Sequence, residues 1–115
     1  MAGTEASMAT TETSMASIKI DALKSLALLC RRSRRFEEAA AYWSALLLIP
    51  SCPQRLAREA SEALAVHHEH RARDLAAAKA FALQSFDARN PAWNQAVQHR
   101  VARIERKMGL TGRLV

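Results

Sequence analysis

The chain has 115 residues and a mass of 12.7 kDa, half of its residues are hydrophobic, and its formal net charge is +6 at pH 7. This length suffices for one domain with a single hydrophobic core. Long runs rich in alanine and leucine, without period-two alternation, indicate an all-α fold and argue against a sheet. The pI of about 10.2 permits an anionic partner such as RNA or DNA but does not establish one.

Residues 1–16, MAGTEASMATTETSMA, are small and polar, and we expect them to be disordered because they cannot bury enough apolar surface. No apolar run approaches the length of a membrane span, so we expect no membrane partner. No signal peptide is evident, and Cys30 and Cys52 lack the spacing of a redox or zinc motif. These features predict a cytoplasmic protein with reduced thiols.

Helical periodicity predicts five helices, over about residues 17–32, 35–49, 53–71, 75–87 and 91–108. Residues 110–115 have no period and are expected to be disordered. Pro50 is expected to end the second helix and Gly109 the fifth. The expected starts are a capping box of Ser51 and Gln54, with Pro53 in the first turn, for the third helix, a cap by Asp74 for the fourth, and Asn90 followed by Pro91 for the fifth.

Each predicted helix has one apolar face that we expect to be buried. The predicted faces include Ile20, Leu23, Leu26, Ala27 and Cys30; Phe36, Ala39, Trp43 and Leu46; Leu56, Ala60, Leu64, Ala65 and His68; Leu75, Ala78, Ala82, Leu83 and Phe86; and Trp93, Ala96, Val97, Val101, Ile104 and Met108. Short connections predict antiparallel packing of consecutive helices.

The segments 26–50 and 64–91 repeat one pattern. Phe36 and Ala39 correspond to Leu75 and Ala78, an offset of 39 residues in each case. Helix-turn-helix pairs with a period of about 34 residues are typical of tetratricopeptide repeats. The chain resembles that family at Leu26, Ala27, Phe36, Ala39, Trp43, Leu46 and Pro50, and again at Leu64, Ala65, His68, Leu75, Ala78, Ala82, Phe86 and Pro91.

Two departures from the repeat pattern concern the turns. Arg34 replaces the turn glycine of the first pair, and the second turn is about one residue longer. The resemblance implies a short tetratricopeptide-like solenoid over residues 17–109. The fifth helix would cap it through Trp93, Val97 and Val101, and a chain that ends near residue 90 is expected to unfold.

A second resemblance lies in the string Leu-Ala-x-x-x-Glu-His-Arg-x-x-Asp-Leu, residues 64–75, and in the final helix HRVARIERKM. Over roughly residues 20–108 the chain resembles the C-terminal helical tail of bacterial ribonuclease H-like, YprB-type exonuclease proteins. The nuclease domain of those proteins, with its catalytic carboxylates, has no counterpart in these residues. The resemblance implies a nuclease as a possible protein partner.

The string HHEH, residues 67–70, raises the question of a metal site. His67 and His70 are three residues apart, whereas a metalloprotease helix needs histidines at i and i+4, and the cysteines lie in other segments. We therefore expect His68 to lie in the core and donate a hydrogen bond to a backbone carbonyl, and Glu69 to pair with Arg73. No nucleophile, catalytic base or phosphate-binding loop is apparent, so we expect neither an enzyme nor a cofactor.

Two function hypotheses follow. The first is a non-catalytic module that binds a protein or peptide, since the tetratricopeptide resemblance implies a ligand face on the first helix of each pair. The candidate partner-binding residues on that face are Lys24, Arg31, Arg32, Glu62, Glu69 and His70. The alternative is a nucleic-acid-binding accessory domain that uses the basic groups at 31–35 and 100–107. Its candidate residues are Arg34, Arg35, Arg100, Arg103 and Lys107.

Overall fold

The computed structural model of the chain describes the backbone of residues 2–114 and the side chains of residues 15–109. It contains five helices: α1 (Ala2–Arg32), α2 (Phe36–Leu47), α3 (Gln54–His70), α4 (Leu75–Gln84) and α5 (Pro91–Leu114). No strand occurs in residues 2–114. The predicted all-α fold built from helix-turn-helix pairs is confirmed.

The chain divides into two compact units, residues 1–52 and residues 53–115. In the first unit α1 packs on α2, and in the second unit α4 packs on α3 and on α5. We predicted disorder for residues 1–16 and 110–115. The structure does not describe the side chains of residues 1–14 and 110–115, so this disorder stays a prediction.

Alanine and a few larger side chains form the buried faces. In the first unit the buried residues are Ile20, Ala27 and Cys30 of α1 and Ala39, Trp43 and Leu46 of α2. In the second unit Ala65, Ala78, Ala82 and Ile104 form one cluster, with Leu75, Phe81 and Val101 packed against it. Because alanine allows helix axes to approach closely, large side chains such as Trp43 and Ile104 fill the space that remains. The predicted packing of α5 on α4 is confirmed.

Two of the predicted helix caps are confirmed. The Asp74 carboxylate accepts a hydrogen bond from the backbone N–H of Ala77 at 3.1 Å, and the Asn90 side-chain oxygen accepts one from the N–H of Trp93 at 3.1 Å. Each interaction satisfies a donor that the first turn of a helix leaves without a partner.

Two other predicted boundaries are wrong. Pro53 occupies the N-cap position of α3 in an extended conformation, so Ser51 lies too early to cap the helix and no side-chain cap forms. Gly109 does not end the fifth helix. It lies inside α5, because it continues the helix instead of adopting the left-handed conformation that terminates one.

The fourth helix ends at Gln84, earlier than predicted. The hydroxyl of the buried Ser85 donates to the carbonyl of Ala82 at 2.6 Å, and the indole N–H of Trp93 donates to the carbonyl of Ser85. Phe86, which we expected in the core, lies beyond this helix end and is exposed; Leu83, also expected in the core, is exposed because it lies about 100° around α4 from the buried Ala82. Leu26, Ala96 and Met108 are also exposed rather than buried.

The turns of the two helix pairs share an uncommon backbone feature. Arg34 and Arg73, which are 39 residues apart, both have positive φ, 60° and 55°. The first turn closes with hydrogen bonds from Arg34 N–H to the Arg31 carbonyl and from Arg35 N–H to the Cys30 carbonyl. This is the Schellman arrangement, in which glycine is usual. The connection before α4 is one residue longer, as predicted.

Replacing Arg34 by glycine is expected to raise the free energy of unfolding by about 0.5 to 1 kcal/mol. The left-handed conformation costs an L-residue roughly 1–2 kcal/mol, and the greater freedom of glycine in the unfolded chain offsets part of that gain. Urea unfolding followed by circular dichroism measures the change. The control is Arg31→Gly, inside the last turn of α1, where glycine gains no such advantage and is expected to lower stability; the same effect from both variants would contradict the prediction.

Candidate functional site

Glu69, in the last turn of α3, is the centre of an ion-pair network with α5. Its side chain is fully buried, and Arg103 donates two hydrogen bonds to the carboxylate, from Nε to Oε2 and from Nη2 to Oε1, both at 2.7 Å. Lys107 Nζ lies 2.7 Å from Oε2, and His70 Nε2 lies 3.4 Å from Oε1. We call these four residues the Glu69 cluster.

The cluster holds the pKa of Glu69 far below its ordinary value of 4.5, at about 2. The hydrogen bonds from Arg103 are the main cause, and the bond from Lys107 and the positive charges of Arg103 and His70 add to it, whereas burial acts in the opposite direction. The same contact raises the pKa of Arg103. A carboxylate that remains ionised and fully hydrogen-bonded is a poor proton acceptor, so this arrangement suits a structural role better than acid–base chemistry.

A second, weaker pair extends the network along the same two helices. Arg100 Nη2 lies 3.5 Å from Glu62 Oε1, and both side chains are partly buried. The sequence placed Glu62 and Glu69 on a partner-binding face and the cations Arg100, Arg103 and Lys107 on a nucleic-acid-binding face. The structure instead brings these two sets together across α3 and α5.

The expected pairing of Glu69 with Arg73 is wrong. Arg73 lies beyond the end of α3, in the left-handed conformation of the turn, while α5 brings Arg103 and Lys107 to the carboxylate. The sequence contained one signal of this burial: Glu69 follows Ala65 by one helical turn and therefore shares the buried face of α3. The identity of the cationic partners depends on tertiary packing.

The histidines form an aromatic contact. The ring of His68 is stacked on Phe81, with centroids 5.4 Å apart, and His67 meets His68 edge-on at 5.3 Å. The side chain of His68 is half-buried. Its Nδ1 atom is shielded from solvent but has no hydrogen-bond partner, so the prediction that His68 donates to a backbone carbonyl is wrong for Nδ1. Among the described side chains, no three His, Cys, Asp or Glu residues are grouped so that they could hold a metal ion.

The segment 31–35, RRSRR, comprises the last two residues of α1 and the turn that leads to α2, and we call it the basic turn. Arg31, Arg32, Arg34 and Arg35 are all exposed there. Arg35 Nε lies 3.4 Å from Glu38 Oε1, but both side chains are more than half exposed and such a pair contributes little to stability. Lys24, the remaining candidate, is half-buried on α1. Of the predicted binding residues, the four arginines of the basic turn and His70 are exposed.

Neither Cys30 nor Cys52 forms a disulfide in the structure. Cys30 is buried, with its Sγ 3.9 Å from the Glu38 carboxylate, and burial raises the pKa of the partly exposed Cys52. A raised pKa keeps a thiol protonated and makes it less nucleophilic.

A comparison with protein-family models, with curated proteins and with solved structures finds no match to this chain. Within the part of the chain that the structure describes, no helix combines the length and the apolar character needed to cross a membrane.

Proposed function

We propose that this chain is a non-catalytic helical-repeat module that binds a protein partner. The observation that carries the proposal is the repeated helix-turn-helix unit. The turns of the pairs α1–α2 and α3–α4 each contain a positive-φ arginine, and these two arginines are 39 residues apart in a sequence that resembles tetratricopeptide repeats. Such repeats characteristically present one helix of each pair to a peptide ligand.

The basic turn is the proposed contact with the partner. The carboxylate of Glu69 is enclosed by cations of its own chain, and Glu62 is paired with Arg100, which leaves them poorly placed to recognise a ligand. Arg31, Arg32 and Arg34 instead present three cationic side chains within one turn. A partner segment rich in aspartate or glutamate fits this chemistry, because guanidinium groups bind carboxylates in bidentate geometry.

The resemblance to the tail of ribonuclease H-like exonucleases suggests the kind of partner. We propose a nuclease of that class, in the bacterial cytoplasm, that either carries an acidic segment or is encoded next to this chain. Size-exclusion chromatography of this chain mixed with a purified exonuclease domain of that type tests the pairing. Co-elution that is lost in the variant Arg31→Glu/Arg32→Glu/Arg34→Glu is the expected result.

Nucleic-acid binding is the alternative, and the exposure of the basic turn favours it as well. The structure weakens the contribution from α5, because Arg103 and Lys107 are neutralised in part by Glu69 and Arg100 by Glu62. An interface limited to the basic turn would make few phosphate contacts. We therefore expect at most weak, salt-sensitive binding to RNA or DNA.

Fluorescence anisotropy separates the two proposals. The labelled probes are an oligoglutamate peptide, a single-stranded RNA and a DNA duplex, each titrated at about 50 and 200 mM salt. We expect the peptide to bind more tightly than either nucleic acid at the lower salt concentration. Neutral or reversed charge at residues 31, 32 and 34 should abolish that binding.

The matched control carries the same change in net charge elsewhere: Arg55→Glu/Arg89→Glu/Arg106→Glu, three exposed arginines of the second unit. It should retain peptide binding. Tighter binding to RNA or DNA that depends on the basic turn would favour the alternative. Equal loss in both triple variants would show that net charge, and not the basic turn, attracts the peptide.

A further inference from the structure

Helix α1 carries two apolar faces, and one of them packs on α2. Ile20, Ala27 and Cys30 are buried on the first face. The second face is exposed, and at 100° per residue its centre lies roughly 130° around the helix from the first. We call this second face the apolar stripe; its members are Met15, Ile18, Ala22, Leu26 and Leu29.

The large members of the stripe are well exposed. Met15, Ile18 and Leu29 expose 65%, 68% and 56% of their surface, and Leu26 exposes 38%. No charged residue interrupts the stripe along these four turns of helix. Single exposed apolar side chains are common on protein surfaces, but several aligned on one helix face form a continuous patch, and such patches mark contact sites.

The spacing of the stripe fits a second copy of the same helix. Successive members are separated by three, four, four and three residues, so the pattern is symmetric about Ala22. A two-fold axis through Ala22, perpendicular to the helix, places Met15 opposite Leu29 of a second copy and Ile18 opposite Leu26. The small side chain at the axis allows the two helices to approach closely where they cross. A surface that is complementary to itself under a two-fold axis is the requirement for a symmetric dimer.

We propose that this chain forms a homodimer through antiparallel pairing of the apolar stripes of two copies of α1. One helix stripe is smaller than the roughly 800 Å² per partner of a standard stable interface, so the dimer dissociates on dilution. The antiparallel arrangement places the two basic turns at opposite ends of the paired helices. At 1.5 Å per residue they lie roughly 35 Å apart, which suits a partner that offers two acidic segments.

Sedimentation equilibrium of the full chain over a range of concentrations tests the dimer. The expected average mass rises from that of one chain to that of two as the concentration increases. Ala22→Glu places a charge at the two-fold axis without disturbing the fold, because residue 22 is an exposed helical position and glutamate favours helix. This variant should remain at the mass of one chain at every concentration, and it should keep the wild-type melting temperature when both are diluted until the wild type is a single chain.

The control variant is Ser17→Glu, an exposed position on α1 that lies away from the stripe. It should dimerise like the wild type. A wild-type chain that keeps the mass of one copy at all concentrations overturns the proposal. A dimer that is insensitive to Ala22→Glu overturns it as well, since the contact would then lie on another surface.

Oxidative cross-linking tests the antiparallel direction. Ala22→Cys should form a disulfide-linked dimer, because residue 22 meets itself at the axis, and Ile18→Cys should link to Leu26→Cys in a mixture of the two variants. The unmodified chain, with only Cys30 and Cys52, is the background control. Efficient linking of Ile18→Cys to itself would show a parallel pair and overturn the proposed arrangement.

Discussion

A chain that ends at residue 90 is expected to lose the helical order of α3 and α4. Removal of α5 takes away the fully buried Ile104 and exposes the alanines with which it packs, Ala65, Ala78 and Ala82. It also removes Arg103 and Lys107, so the buried carboxylate of Glu69 loses both of its strongest partners. Loss of a fully buried large aliphatic side chain alone costs about 2–5 kcal/mol, a large share of the stability of a small domain.

Hydrogen exchange measured by mass spectrometry over residues 54–84 is the appropriate readout, because it reports on α3 and α4 separately from the first unit. We expect fast exchange throughout this range in the shortened chain. A chain that ends at residue 109 retains Ile104, Arg103 and Lys107 and serves as the control; it should keep slow exchange. Slow exchange in the chain that ends at residue 90 would show that α5 is dispensable for the order of α3 and α4.

Glu69→Gln is expected to lower the free energy of unfolding by about 2 kcal/mol at neutral pH. A pKa that falls from 4.5 to about 2 on folding corresponds to about 3 kcal/mol in favour of the folded state with Glu69 ionised. We reduce this value to about 2 kcal/mol because Arg103 and Lys107 are each about two-fifths exposed and solvent screens their charges. The melting temperature should fall by roughly 10 °C.

The pH dependence separates this effect from a simple packing defect. Because the folded-state pKa is depressed, the stabilisation is fully present above about pH 4.5 and is lost as the pH falls from 4.5 towards 2. Melting temperatures of the wild type and of Glu69→Gln, measured by circular dichroism, should therefore converge over that range. A difference that stays constant from pH 7 to pH 2 would show that the charge of Glu69 is not what stabilises the fold.

Glu105→Gln is the matched control for Glu69→Gln. Glu105 lies on α5 and pairs with Lys79 at 3.2 Å, but its side chain is half exposed. Exposed pairs contribute little, since solvent already stabilises both charges. This variant should change the melting temperature only slightly at any pH.

Sequence periodicity predicted the number of helices and most of the buried positions because both follow from local rules. A helix repeats every 3.6 residues, so Trp43, Ala65, Ala82 and Ile104 could be assigned to inner faces without any knowledge of their neighbours. The caps at Asp74 and Asn90 are equally local, since the side chain and the backbone N–H that it accepts from are three residues apart.

Two of the wrong predictions, the end of α4 and the partner of Glu69, concern positions where contacts more distant in sequence decide the outcome. The end of α4 is set in part by Trp93, which donates to Ser85 across a turn. The interpretation of Glu69 depended on its neighbours along α3, whereas its partners lie 34 and 38 residues away on α5. A helical pattern shows that a residue faces inwards, but it does not show which helix it meets.

The sequence by itself determined that this chain is helical, that its helices occur in pairs, and where most of those helices begin. These properties depend on hydrogen bonds and side-chain periodicity within a few residues. Only the tertiary structure decided that Glu62 and Glu69 of α3 bind cations of α5, while the arginines of the basic turn stay exposed. The physical reason is that an ion pair forms where packing brings two charges within a few ångströms and excludes water, and neither condition is encoded in local spacing.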